Sequence, residues 1–189
     1  MKHPSRRTYR LFVLFAGLSV LGATSSALRA QELKAVRVEE GPRVDGRLTD
    51  PAWQAAPVIG GFRMVEPRPG EDPSERTEAR VVYDDHSLYI GVYCYDSEPG
   101  RIAANSMAHD SASGSSGGYV GYGFGHRGSS MSSDDLVRVL LDPFQDKRNA
   151  YVFFVNPRGA RGEGLVYAGD SSLNWDGIWE ADSSRLEDG

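Results

Sequence analysis

Near its C-terminal end the sequence reads SSLNWDGIWEADSSRLEDG, with Trp175 and Trp179 four residues apart among polar neighbours. Residues i and i+4 share a side in both a strand and a helix, so the two indoles face one way in either case. An aromatic face can stack on the apolar face of a pyranose ring, and Asn174 and Asp176 beside Trp175 can bond its hydroxyls. Core packing is the competing use, because tryptophan is highly buried on average. Packing suits Trp179 better. Trp175, set between Asn174 and Asp176 at a loop, is the better ligand candidate. The third tryptophan, Trp53, stands inside LTDPAWQAA and is expected in the core.

Carboxylates are the second chemical resource. The runs YDD (83–85), YDSE (95–98), SDD (133–135) and LDPFQD (141–146) each place oxygen ligands where a turn is expected. Calcium takes about six to eight such oxygens. Aspartate also favours turns for local reasons, by bonding its own backbone. The chain has no EF-hand loop.

Catalytic arrangements find little support. The run GGYVGYGFGHRG neither follows a strand nor opens a helix, and it lacks the Gly-Lys-Ser/Thr of a phosphate loop. His86, His109 and His126 have no metal-ligand spacing. No G-x-S-x-G appears. With 26 acidic residues, a carboxylate pair for glycoside hydrolysis can be drawn anywhere, so it carries no weight. The single cysteine, Cys94, falls on one face of LYIGVYCYD with Leu88, Ile90 and Val92 and is expected to be a small buried hydrophobe.

The elements that must position these residues are mostly strands. KAVRVEE, EARVVYD, SLYIGVYCY, DLVRVLLD, NAYVFFVNP, GLVYAG and GIWEADSS are rich in β-branched and aromatic residues and separated by Gly, Pro, Asp and Asn. NAYVFFVNP is apolar on both faces, as a central strand is. One short helix stands out at LTDPAWQAA, with Asp50 as N-cap and Pro51 at the first helical position. Such a piece is too short to cross over between parallel strands, so the strands are expected to be mostly antiparallel. The predicted fold is an all-β, antiparallel two-sheet β-sandwich, jelly-roll-like, with one short helix near the N-terminus. EPRPGEDPSERT (66–77) reads as a surface loop, and the Gly/Ser-rich stretch 109–135 as a loop or insertion.

The first 30 residues read as a secretory signal peptide. A basic MKHPSRRTYR precedes the apolar LFVLFAGLSVLGA, and small residues follow. The remaining domain, 31–189, is then periplasmic, outer-membrane-associated or extracellular. The signal holds five of the 21 basic residues and no acid, which leaves 16 basic against 26 acidic residues, a net charge of −10. That balance excludes nucleic acid, whose phosphates need clustered Lys and Arg, and suits neutral sugars or cations.

Four segments, in order, resemble the family 9 carbohydrate-binding-module-like domain: RVDGRLTDPAWQAA, ARVVYDDHSLYIGVYCYDSEP, SDDLVRVLLDPFQDKRNAYVFFVNPRGA and NWDGIWEADSSRLEDG. The resemblance spans roughly residues 36–189. It implies a β-sandwich that binds saccharides, xylan- or glucan-derived, in some members with calcium, as an accessory to polysaccharide breakdown. On those matched strands Arg148 joins Asn174, Asp176, Trp175 and Trp179 as a candidate saccharide contact, and Asp110, Asp134 and Asp135 become the calcium candidates. Where the members that precede a barrel-like region are expected to have an Arg-Asp pair, this chain has His109-Asp110. Some members belong to glycoside hydrolases such as xylanases. Others precede a region that looks like an outer-membrane barrel, for which a periplasmic interaction or structural role is the alternative. The family pattern also implies further strands after LEDG, so the chain is expected to be a fragment.

Overall fold

The computed structural model describes residues 34–107, 134–167 and 170–189, all within the compact unit Gln31–Gly189. It is an all-β, sandwich-like architecture of two small sheets, as the sequence pattern predicts. The first sheet has the order β1-β2-β3, with β1 at Val36–Arg37, β2 at Thr77–Tyr83 and β3 at Leu88–Cys94. The second has the order β4-β5-β6-β7, with β4 at Val137–Leu141, β5 at Asn149–Val155, β6 at Arg161–Tyr167 and β7 at Asp170–Ser172. A single helical turn, α1 at Pro51–Gln54, packs on the first sheet.

Strand β2 is central and is covered on both faces. Val82 meets Trp53 and Ala56 on one side, while Ala79 and Val81 meet Ile59, Ile90 and Val92 on the other. Trp53 is only 4% exposed. Its ring fits because β3 carries glycine at the contact. A Cβ on Gly91 would stand 3.1 Å from the indole and 2.5 Å from Leu48 Cδ2. The β2–β3 hairpin turns on Asp84, whose Oδ1 accepts the N–H groups of His86 and Ser87, both at 2.8 Å. Those bonds lower the Asp84 carboxyl pKa.

Strand β5 is the centre of the second sheet, in agreement with its two apolar faces. Val152 and Phe154 form one cluster with Ala160, against Leu136, Val166 and Leu173. Tyr151 and Phe153 point to the opposite face. The turn into β6 is closed by buried Asn156, whose Oδ1 accepts the N–H groups of Arg158 and Ala160 at 2.9 Å each.

The strand pairs are mostly antiparallel, as expected, and three other expectations need correction. The one parallel pair among the described residues is β1–β2. Its connection is long enough because coil, not helix, supplies most of residues 38–76. Asp50 occupies the N-cap position of α1 but does not cap it; its carboxylate instead accepts the Arg43 N–H at 3.1 Å. Cys94 is exposed, since it lies at the end of an edge strand. Burial of its thiol still raises the pKa, opposed by a hydrogen bond with Thr77, which makes a poor thiolate. Finally, GIWEADSS joins no sheet. The last strand of the second sheet is the short β7, ahead of it in sequence.

Candidate functional site

Residues 173–183 follow β7 with no assigned strand, yet their exposure alternates strictly. Leu173, Trp175, Gly177, Trp179, Ala181 and Ser183 are partly buried, whereas Asn174, Asp176, Ile178, Glu180 and Asp182 are exposed. A period of two is the mark of extended backbone. Both tryptophans therefore share a face, and that face is turned onto β5. Trp175 lies 4.8 Å from Tyr151 and 6.0 Å from Phe153, ring centre to ring centre. Trp179 meets Phe153 edge to face at 5.0 Å. The Arg161 guanidinium sits over the Trp179 ring at 5.4 Å, inside the range of a cation–π contact.

The segment is held close by Gly177. A Cβ there would lie 2.7 Å from the Trp175 ring. Its N–H donates to Glu163 Oε1 at 3.3 Å. Glu163 is 3% exposed, and its Oε2 has no hydrogen-bond partner among the described residues. The structure thus brings Trp175 and Trp179 together, as an aromatic layer against the sheet. Asn174 and Asp176 occupy the outer side of the same segment, away from the rings. Arg148 is exposed in the β4–β5 turn, where its N–H donates to Asp146 Oδ1 at 2.8 Å.

That turn, 142–148, forms one wall of a half-open cleft of about 240 Å³. Pro143, Phe144, Asn149, Tyr151, Leu165 and Tyr167 line it. Phe144 is 74% exposed and Tyr167 is exposed too. Tyr151 contributes to the cleft and also stacks with Trp175, so the cleft rests on the tryptophan layer. The turn is built by its own carboxylates. Asp142 accepts the N–H groups of Asp146 and Lys147 at 3.3 and 2.8 Å. Asp146 accepts those of Asn149 and Arg148, which lowers its pKa. Gln145 and Lys147 have φ of +55° and +56°, in the left-handed region. The acids of LDPFQD thus shape the turn that presents Phe144. Sequence reasoning missed Phe144, Tyr151 and Tyr167. A phenylalanine after proline between two turn-forming aspartates was a usable signal; the Asn149–Tyr167 register was not.

Asp134 has a similarly structural setting. Its Oδ1 accepts the Asn105 backbone N–H at 2.7 Å and the Asn105 amide at 3.0 Å. Its Oδ2 accepts the Ser106 N–H at 3.0 Å and the Asn156 amide at 2.8 Å. Two bonds to each oxygen fill the lone pairs of a carboxylate. Burial pushes the carboxyl up, but these donors outweigh it and hold the pKa down at about 2. Asp135 Oδ2 accepts the Ala103 N–H at 2.7 Å. A cation at Asp134 would have to displace these bonds. Among the described residues no group of three or more His, Cys, Asp or Glu is placed to hold a metal ion. Asp110 lies outside the described residues. No helix among them is long and apolar enough to cross a membrane.

Comparison adds no relative. No family model, curated protein or solved structure matches the chain.

Proposed function

We propose that this chain is a non-catalytic saccharide-binding module whose ligand lies in the Phe144–Tyr151–Tyr167 cleft. The observation that carries the reading is an exposed aromatic cleft with an amide at its wall. Phe144 and Tyr167 offer ring faces to the apolar side of a sugar. The Asn149 Nδ2 donates to Asp146 Oδ2, which leaves the Asn149 carbonyl oxygen to accept from a hydroxyl. Trp175 acts through Tyr151, as a positioning residue behind the cleft, and Trp179 anchors the segment that carries it. Arg148, next in sequence to Asn149, supplies further donors at the rim. The acidic charge of residues 31–189 and the four segments that resemble family 9 carbohydrate-binding modules support the same assignment. On this reading the domain is exported and serves as an accessory to polysaccharide breakdown.

The test is calorimetric titration of the folded chain with xylo- and gluco-oligosaccharides, with and without calcium. Saturable binding that Phe144→Ala removes is the expected result. No binding of either series by folded protein would overturn the assignment. The calcium arm separately examines Asp134 and Asp135, whose bonds favour binding that does not depend on the ion.

A further inference from the structure

We infer that the saccharide taken by the cleft is an O-acetylated one, with the acetyl methyl seated among Ala150, Leu165 and Val166. The inference rests on the saccharide reading and deepens it, by naming the substituent that the inner wall favours. The cleft is graded in exposure. Pro143, Phe144, Asn149 and Tyr167 stand exposed at its rim, whereas Ala150, Tyr151, Leu165 and Val166 are half-buried. The one amide of the lining, Asn149, is therefore at the rim. The half-buried side chains offer aliphatic carbon and a phenol ring, and their only polar atom is the Tyr151 hydroxyl. Val166 also packs against the core cluster of Val152, Phe154 and Ala160, which fixes this wall. The β5–β6 ladder passes through Asn149, Ala150 and Tyr151 and through Leu165, Val166 and Tyr167. Backbone N–H and C=O groups on that ladder are engaged in pairing.

Such a wall treats a free hydroxyl and an ester differently. A sugar hydroxyl is both donor and acceptor, and burying it without partners is costly. An acetyl ester has no donor. It puts in place of the hydroxyl a carbonyl that only accepts and a methyl that gains by leaving water. Asn149 suits the carbonyl. Its Nδ2 gives one hydrogen to Asp146 Oδ2 and keeps a second, because an amide nitrogen carries two. Asn149 also stands opposite Tyr167 in the strand register. Amide and ring thus share one rim, where a pyranose can stack while its ester points inward.

Size favours acetyl over larger acyl groups. The cleft holds about 240 Å³, less than the roughly 300–1,000 Å³ of sites that enclose a whole ligand. An acetyl group fits such a space beside the edge of one sugar ring. A cinnamoyl or fatty acyl group does not. The rest of the glycan then runs outside, across Phe144, which is 74% exposed.

The experiment titrates the full chain with xylotriose carrying acetyl esters, with the same sample after alkaline deacetylation, and with triacetin, an ester that is not a sugar. Calorimetry should show the acetylated trisaccharide binding at least about fivefold more tightly than its deacetylated form, and triacetin should bind more weakly than either. Isotope-filtered NOEs should connect the acetyl methyl with the methyls of Leu165 and Val166. Equal or tighter binding of the deacetylated sugar would overturn this inference and leave the saccharide reading standing. Binding of neither sugar by folded protein would overturn both. Triacetin binding as tightly as the acetylated sugar would assign the cleft to esters in general, again against both. Acetyl NOEs to Phe144 alone would put the substituent outside the cleft and overturn the inference.

Discussion

The two sheets accommodate tryptophan in different ways. In the first, Trp53 sits almost wholly buried beneath a single helical turn, and Gly91 on β3 leaves the space its ring fills. In the second, Trp175 and Trp179 come from an extended segment outside the sheet and lie half-buried across Tyr151 and Phe153. Trp53 closes a core. Trp175 and Trp179 form a layer with one side toward β5, and that layer supports a cleft. The lesson is that burial depth separates an aromatic that stabilises from one that can also position a ligand site.

The sharpest way to break this contrast is at Trp53. Replacing it with alanine should cost about 3–5 kcal/mol in urea unfolding, the range for a large core aromatic. Gly91→Val should be similarly damaging, because its side chain would enter the indole. A loss below about 1 kcal/mol in either variant would place Trp53 outside the core.

Asp134 comes next. Asp134→Ala leaves donors of Asn105, Ser106 and Asn156 without their acceptor, and should cost about 2–3 kcal/mol. The same carboxylate makes stability depend on acid. Its folded pKa of about 2 lies below the ordinary value of 3.8. Its contribution is therefore complete above pH 3.8 and is lost as pH falls through about 2. Thermal unfolding from pH 5 to pH 2 should show a steeper decline in wild type than in Asp134→Asn. Parallel curves would remove Asp134 from this role.

Trp175→Ala should cost less than either, about 1–2 kcal/mol, because the ring is only half-buried. It should also weaken oligosaccharide binding by releasing Tyr151. Stability loss with undiminished binding would separate the aromatic layer from the cleft. The smallest stability effect belongs to Phe144→Ala. That side chain is mostly exposed, so the melting midpoint should hold to within about 0.5 kcal/mol of stability while saccharide binding disappears.

Much of the fold was legible because strand periodicity is local. EARVVYD, SLYIGVYCY, DLVRVLLD and NAYVFFVNP became β2 to β5 with boundaries within a residue or two. DPAWQ announced α1 through Pro51, and Trp53 was expected in the core. GIWEADSS failed as a strand for an instructive reason. Its alternation was real, and its burial alternates in the structure, but a strand also needs a hydrogen-bonding neighbour, which no local pattern reveals. The acidic runs were ambiguous for the opposite reason. Asp134 and Asp146 look alike in sequence as oxygen ligands, and their oxygens are taken by nearby N–H groups whose positions depend on backbone geometry.

By itself, the sequence determined the all-β class, the order of the main strands, the turn-forming aspartates and the shared face of Trp175 and Trp179. Each follows from spacing along one segment. The tertiary structure decided which way that face points and which rings line the cleft. Tyr151, Tyr167 and Trp175 meet only because β5 pairs with β6 in one register and the segment after β7 folds back over them. Contacts between distant segments depend on that pairing, and the residues of either partner alone do not encode it.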